Sequence, residues 1–371
     1  MSFFSQFFKE KGSSVVGIDI GSSAIKIVQI KKQNGQAILE TYGELALGPY
    51  AGGVVGQAVA LPPDKIAQAL SDLMKEKEVN ITTKKCGISI PFASSLMSLI
   101  EMPQVSSKQL AAMVPLEARK YIPVPISEVT LDWSIIPKTQ IETSQTPPPT
   151  SSDTAKVMPK IDVLVVAIHN DTLARYTDIV GRAGLEPGFF EIEIFSTMRA
   201  VLDEGLVPVM IIDMGAASTK LYIIERGIIK ASHTINRGSQ DITSTISQSL
   251  GLPIEKAEIM KREKGADGTD KTLTEVITLT LDYIFAEANR SLLAYEKKSN
   301  KSVSKVIIVG GGASLKGLSA LAEASFKTKA SMGDPFGKLS APAFLEKILK
   351  ETGPEFAVAI GIALRELSEV E

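Results

Sequence analysis

Two stretches of this chain end an apolar run in aspartate and follow it with small residues: Val15-Val16-Gly17-Ile18-Asp19-Ile20-Gly21-Ser22-Ser23-Ala24-Ile25-Lys26-Ile27-Val28 and Val209-Met210-Ile211-Ile212-Asp213-Met214-Gly215-Ala216-Ala217-Ser218-Thr219-Lys220-Leu221-Tyr222. Each reads as a strand, a turn with glycine two residues past the aspartate, and a returning strand. A phosphate chain gripped by backbone N–H groups needs such a turn, because bulky side chains would keep the main chain from the oxygens. Gly21, Ser22 and Ser23 meet that need, as do Gly215, Ala216, Ala217 and Ser218. Two such hairpins can hold one polyphosphate between them. Asp19 and Asp213 would then lie beside phosphate, where a carboxylate is repelled unless a hydrated divalent cation intervenes; both are candidate Mg²⁺ partners through water. Lys26, seven residues after Asp19 on the returning strand, is placed to set a point charge on a phosphate. The plainer alternative for Lys26 is a solvated surface charge.

A third segment, Lys305-Val306-Ile307-Ile308-Val309-Gly310-Gly311-Gly312-Ala313-Ser314-Leu315-Lys316-Gly317-Leu318, runs a β-branched strand into three glycines and then a helix. Gly310, Gly311 and Gly312 allow flat approach of a purine or ribose, and the helix start turns N–H groups toward the phosphate side.

Together these segments resemble the actin-like ATPase superfamily, which includes actin, the sugar kinases, the ATPase domain of the heat-shock chaperones, and FtsA. They correspond there to the first phosphate loop, the second phosphate loop and the adenosine loop, which implies ATP and Mg²⁺ as ligands. The fold implied is α/β: a two-lobed actin-like ATPase fold with an FtsA-like inserted subdomain in the first lobe. Outside the loops, Phe92-Ala93-Ser94-Ser95, Ile100-Glu101-Met102-Pro103, Pro115-Leu116-Glu117-Ala118-Arg119-Lys120-Tyr121-Ile122-Pro123-Val124-Pro125 and Leu131-Asp132-Trp133 are similar to PilM, the cytoplasmic actin-like family of type IV pilus machines. The likeness covers nearly the whole chain except about 138–160.

That resemblance implies further residue roles. Glu193, in the segment crossing between lobes, aligns with the carboxylate that positions attacking water in the chaperone relatives. Glu191 is the alternative, and a helix-starting acid that favours the helix dipole is the plainer account of either. Glu258 and Lys261 fall where relatives contact ribose and base, beside Arg262, although a charge run on a helix is usually a solvated face. Gly238, in the turn before the next helix, joins the nucleotide set. Lys220 departs from the small polar or acidic residue relatives commonly carry, which makes hydrolysis more doubtful than binding. In PilM proteins the inserted module receives the cytoplasmic N-terminal peptide of PilN, here expected near Ser95, Met97, Arg119 and Tyr121. Other pilus assembly proteins and motor ATPases are implied partners, with peripheral inner-membrane association made through partners.

The elements that must position these residues follow from periodicity and breakers. Strands are expected over 15–20, 25–30, 37–45 and 85–91, with a helix from Pro63 toward Glu78, while the Gly-rich 54–61 has no assigned structure. The inserted module, placed at 84–187, reads as strand 94–101, helix 107–121 capped by Ser106 or Ser107, strands 129–136 and 161–168, and helix 170–183. Its segment 139–160, rich in Ser, Thr, Gln and Pro, is expected to be a mobile loop. Residues 15–83 and 188–208 make the first-lobe core, and 209–244 and 301–371 the second. Between these second-lobe segments, 245–300 makes a small helical subdomain.

Composition limits the alternatives. A balance of 40 basic and 42 acidic residues gives no electrostatic case for nucleic acid. One cysteine, Cys86, excludes an intramolecular disulfide, and with two histidines leaves too few soft ligands for structural zinc. His169 and His233 lack a matching nucleophile and carboxylate arrangement for a hydrolase triad. No apolar run approaches the ~20 residues that span a bilayer. In segment 1–14, Phe3, Phe4, Phe7 and Phe8 share one helical face, suited to a partner, a membrane surface or the protein's own body. The leading expectation is a nucleotide-dependent assembly protein with at most slow ATPase activity, located in the cytoplasm at the inner membrane. The rival is a phosphotransferase with a small acceptor, for which no acceptor-site base is evident.

Overall fold

The structure, a computed structural model, describes residues 14–136, 159–203 and 205–369. The aromatic face expected in 1–14 and most of the loop expected at 139–160 lie outside them. The chain separates into two compact units, one of residues 91–176 and the other of the described residues on either side.

The larger unit is a duplication. Its first sheet has the order β3-β2-β1-β4-β8, built from β1 (Ser14–Ile20), β2 (Ala24–Gln33), β3 (Gln36–Ala46), β4 (Lys85–Ile90) and β8 (Glu186–Ile192). The second has the order β11-β10-β9-β12-β13, from β9 (Val209–Met214), β10 (Thr219–Glu225), β11 (Ile228–Ile235), β12 (Lys305–Val309) and β13 (Ala330–Met332). In both, an antiparallel meander continues into two parallel strands. Central strands β1 and β9 are apolar without alternation because both faces are covered.

Two helices run from one half of this unit to the other. Glu193–Val201 leaves β8 toward the second sheet, and Ala357–Glu369 returns from the second half to pack on β1, β2, β4 and the first helix. The contact is backbone to backbone. A Cβ on Gly17 would lie 1.9 Å from the Ala359 carbonyl oxygen, and one on Gly361 would lie 1.9 Å from that of Ser196. Behind the second sheet, helices Ser239–Leu250, Ile254–Lys264 and Lys271–Ser299 share one core with it, including Ile212, Leu221, Ile246, Leu273, Ile277 and Leu292.

The smaller unit is an antiparallel sheet of order β5-β7-β6, from β5 (Ser95–Pro103), β6 (Val129–Ile136) and β7 (Lys160–His169). Helix Ser107–Ala118 covers one face through Leu110 and Val114 against Ile100, Met102, Val163 and Val165. Ser106 is its cap: its Oγ accepts from the Gln109 N–H while Gln109 Oε1 accepts from the Ser106 N–H. The helix ends at Ala118, short of the expected 121, and residues 119–122 form a tighter turn whose N–H groups bond Glu117 and Ala118. The unit is also narrower than the 84–187 expected. β4 and β8 are its sequence neighbours, yet they pair with β1 and with each other in the first sheet. Among the described residues no helix is long and apolar enough to cross a membrane.

Candidate functional site

The duplicated hairpins bring matched chemistry to the same place. Asp19 pairs in register with Lys26 across β1 and β2, and Asp213 with Lys220 across β9 and β10. Each turn is closed by one hydrogen bond at 3.0 Å, from Gly21 N to the Ala24 carbonyl and from Gly215 N to the Ser218 carbonyl. Both turns face a cavity of about 870 Å³, which is also lined by Gly310, Gly311 and Gly312. Asp19, Ser22, Ser23, Lys26, Glu193, Asp213, Ala216, Ala217, Glu258 and Lys261 complete the sequence-expected set on its walls.

Gly310 needs to be glycine. Its φ is +84°, and a Cβ there would fall 2.4 Å from Asp213 Oδ1. Gly238 does not line the cavity. It packs beneath the second turn, where a Cβ would lie 2.4 Å from the Ala216 carbonyl, and the next two N–H groups bond the Gly215 and Ala216 carbonyls at 2.9 and 3.1 Å. Its role is to seat the turn on the helix start.

The charged groups divide into tied and facing sets. Glu191 is tied: Arg199 donates to both its oxygens at 2.7 and 2.8 Å, Arg365 at 3.0 Å and Ser196 Oγ at 2.5 Å. Burial works against its charge, but Arg199, Ser196 and Arg365 outweigh that and hold it below the usual carboxylate range. Glu193, the first residue of its helix, is the one of these two glutamates that lines the cavity, and it accepts from Lys220 Nζ at 2.7 Å. Lys220 Nζ also lies 3.6 Å from Asp213 Oδ2. Asp19 accepts from Ser89 Oγ on β4 at 2.7 Å, and desolvation raises its pKa despite Lys26, Ser89 and Lys220 nearby. Lys26 turns to Glu44 Oε1, 3.3 Å away.

Glu258 and Lys261 are buried rather than on a solvated face. Thr243 Oγ1 and Lys261 reach Glu258 Oε2 at 2.6 and 2.7 Å, and Arg262 reaches Oε1 at 2.6 Å. Desolvation alone would raise the Glu258 pKa, but Lys261, Thr243 and Arg262 lower it. Burial pushes the Lys261 ammonium down, against the pull of Glu258.

Several lining residues carried no sequence signal. Glu44 and Glu355 are ordinary acids on a strand and a turn until the fold brings them together. Gly56 belongs to the unassigned 54–61 segment, which is pinned by Val59 N to the Ser22 carbonyl at 2.9 Å. Lys220 had a signal, since it follows Asp213 by the same seven residues that separate Lys26 from Asp19. Ser95, Met97, Arg119 and Tyr121 all lie in the smaller unit, and none of them lines this cavity. Ser95 Oγ donates to the Phe92 carbonyl at 2.8 Å, Met97 sits on edge strand β5, and Arg119 and Tyr121 are exposed in the turn after the helix. Among the described residues, no three His, Cys, Asp or Glu side chains converge as a ready metal cage.

Comparison with known proteins bears on this geometry. The sequence model of a family described as "Type IV pilus assembly protein PilM" matches residues 17–367. Among solved structures, the "PilM-PilN type IV pilus biogenesis complex" is similar with 25% identity and a TM-score of 0.77, over 95% of this chain and 98% of that one. MreB5 of Spiroplasma citri bound to AMPPNP shares the fold at 12% identity and a TM-score of 0.53, over 96% and 97% of the two chains. The cell division protein FtsA of Escherichia coli K12 is 22% identical over 231 residues, 54% of each chain, so this chain spans about half the length of that relative. The two matched sheets with their shared cleft are thus an actin-like ATPase fold.

Proposed function

This chain belongs to the type IV pilus assembly protein PilM family, and from that premise we propose that it binds ATP with Mg²⁺ and uses its smaller unit to recruit the cytoplasmic tail of PilN. The observation that carries the nucleotide reading is the convergence of two register-matched Asp hairpins and the Gly310–Gly312 turn on one cavity of about 870 Å³, within the size range of small-molecule sites. MreB5, which shares the fold, is described as bound to AMPPNP. The residues suit Mg²⁺: two hard carboxylates, Asp19 and Asp213, face the space, and Mg²⁺ is usually held by one or two carboxylates, waters and phosphate oxygens. When bound it neutralises phosphate charge. The backbone of the two turns then grips the phosphates, Gly311 and Gly312 admit the nucleoside, and Lys261 lies on the same wall.

Turnover is slow in this reading. Glu193, the candidate for orienting water, already has its Oε2 engaged by Lys220 Nζ at 2.7 Å. The chain therefore acts as a nucleotide-dependent assembly protein, at the cytoplasmic face of the inner membrane through its partners, and links PilN to the pilus motor ATPases and other assembly proteins. The PilN tail adds to edge strand β5 with Arg119 and Tyr121 beside it. Support comes from the similar structure, which is described as a PilM-PilN complex.

One experiment tests the nucleotide reading: incubate the purified protein with ATP and Mg²⁺, then follow bound nucleotide and released phosphate together. Tight retention with phosphate release slower than an enzymatic timescale of about a second is expected. Failure to retain nucleotide overturns the reading, and rapid release overturns the assignment of Glu193 as a restrained base.

A further inference from the structure

We propose that the end of the second sheet opposite the cleft is a surface for an anionic membrane: Leu206 and Val207 enter the headgroup layer, the lysines around them meet lipid phosphates, and the contact orients a chain that a tether has already delivered. This surface shares no residue with the nucleotide cleft or with the strand proposed for PilN, and depends on neither reading.

Strands β9, β12 and β13 run parallel and β10 runs against them, so the starts of the first three and the end of the fourth lie together. The aspartate and glycine turns of the cleft are at the other end. Residues 205–208 lead into β9, and there Leu206 is 74% exposed and Val207 57%. The neighbouring strand fixes their position: Ser304, just before β12, donates from both its N–H and its Oγ to the Pro208 carbonyl at 2.9 Å.

Lysines gather around this apolar pair. Lys305 opens β12 opposite Val209, and Lys327 and Lys329 lead into β13, where the Lys329 carbonyl accepts from the Val306 N–H at 2.8 Å. Lys297 and Lys298 close helix Lys271–Ser299. Its end is brought to the same place because Tyr295 Oη, at 3.1 Å, and Lys301 Nζ both bond the Glu225 carboxylate at the end of β10. The described carboxylates of this end are already engaged. Besides Glu225, Glu296 accepts from the Val303 N–H at 3.2 Å, Glu323 from the Ala330 N–H at 3.3 Å, and Asp203 from Lys338 Nζ at 2.6 Å. Lys297, Lys298, Lys327 and Lys329 are exposed and form no ion pair among the described residues.

Helix dipoles favour lysines at helix ends, but they explain neither Lys305 and Lys329 nor the two exposed aliphatic side chains between them. The make-up of the patch selects lipid over protein. Protein interfaces are depleted in lysine and anchored by aromatic residues and arginine. A lysine is a mobile point charge, which meets a diffuse layer of phosphates without fixed geometry. One apolar pair with lysines holds lipid weakly, so a separate tether has to deliver the chain first.

The test attaches the full chain by a histidine tag to vesicles with a fixed small share of nickel-chelating lipid. Vesicles otherwise of phosphatidylcholine are compared with vesicles of which about a third is phosphatidylglycerol. The anionic lipid should tighten binding about tenfold or more at low salt, and the gain should fall as salt shortens the screening length. The variant Lys297→Gln/Lys298→Gln/Lys327→Gln/Lys329→Gln should lose most of that gain. Leu206→Ser/Val207→Ser should lose about threefold while keeping the salt dependence. All six side chains are exposed, so both variants keep the fold. Equal binding to the two kinds of vesicle overturns the proposal and leaves the surface to an acidic protein partner. A gain that persists undiminished in the glutamine variant overturns it too, because the lipid contact then lies elsewhere on the chain.

Discussion

At the scale of single residues, the cleft depends on a few atoms with no substitute. In the nucleotide reading Asp19 is a metal partner: it lines the cavity, and desolvation disfavours its charge despite Lys26, Ser89 and Lys220 nearby. Asp19→Ala is therefore expected to weaken ATP binding in Mg²⁺ by about tenfold or more. Gly21→Val should do the same by another route. Even a Cβ would sit 3.1 Å from the Ala24 carbonyl that closes the turn, and the branch beyond it would fill the space of a phosphate. Calorimetric titration checks both, and unchanged affinity in the pair would remove the site assignment. Glu355 gives a pH test. Burial and then the neighbouring Glu44 carboxylate raise its pKa from 4.5 to about 7, against Lys26 and Arg262. The folded protein thus keeps a proton that the unfolded chain gives up in this window. The contribution to stability is complete below 4.5 and lost as pH rises through about 7. Glu355→Gln cannot titrate. Relative to the wild type, its urea midpoint should gain between about pH 5 and pH 8; an identical pH profile would contradict the shift.

At the scale of elements, the contact between the two cross-packed helices leaves no room for an added carbon. A Cβ on Gly361 would meet the Ser196 backbone at 1.9 Å, and backbone cannot rotate away as a side-chain tip can. Gly361→Ala should cost about 1–3 kcal/mol, seen as a lower urea midpoint with unchanged slope. Gly181, in helix Asn170–Arg182 with no atom within 4 Å of a built Cβ, is the control. Gly181→Ala should be neutral or stabilising by up to about 1 kcal/mol. Equal losses would mean that close packing is not what the helix contact requires. These elements also show what sequence discloses. The two Asp hairpins were legible because turn chemistry is local, and the strand expected at 129–136 runs over Val129–Ile136. The edges of the inserted unit were not, since periodicity marks Lys85–Ile90 and Glu186–Ile192 as strands but says nothing about which strand each pairs with. The same limit hid Ser89, Glu44, Gly56 and Glu355. Glu44, Gly56 and Glu355 line the cleft and Ser89 bonds Asp19 through contacts distant in sequence, and none carries a local pattern.

At the scale of the whole molecule, the open question is how a chain with no membrane-crossing helix among its described residues would be held at a membrane. Two parts can do it. An edge strand can take an extended tail by backbone hydrogen bonds while side-chain pockets set the choice, and β5 is such an edge, with exposed Leu99 on it and exposed Tyr121 in the turn after the covering helix. A tail of an inner-membrane protein ordered there would tether the chain without any lipid contact. The competing tether is the group of phenylalanines Phe3, Phe4, Phe7 and Phe8 in the sequence outside the described residues, whose rings would act on lipid directly. Membrane co-sedimentation with and without PilN separates them, using a deletion of residues 1–10 and, separately, Arg119→Ala with Tyr121→Ala. Capture through the tail predicts that sedimentation requires PilN, survives the deletion and falls about tenfold in the double substitution, the scale at which a few interface side chains decide binding. If the deletion alone abolishes sedimentation while the double substitution leaves PilN binding intact, the partner does not dock at β5 and the lipid-facing phenylalanines are the tether.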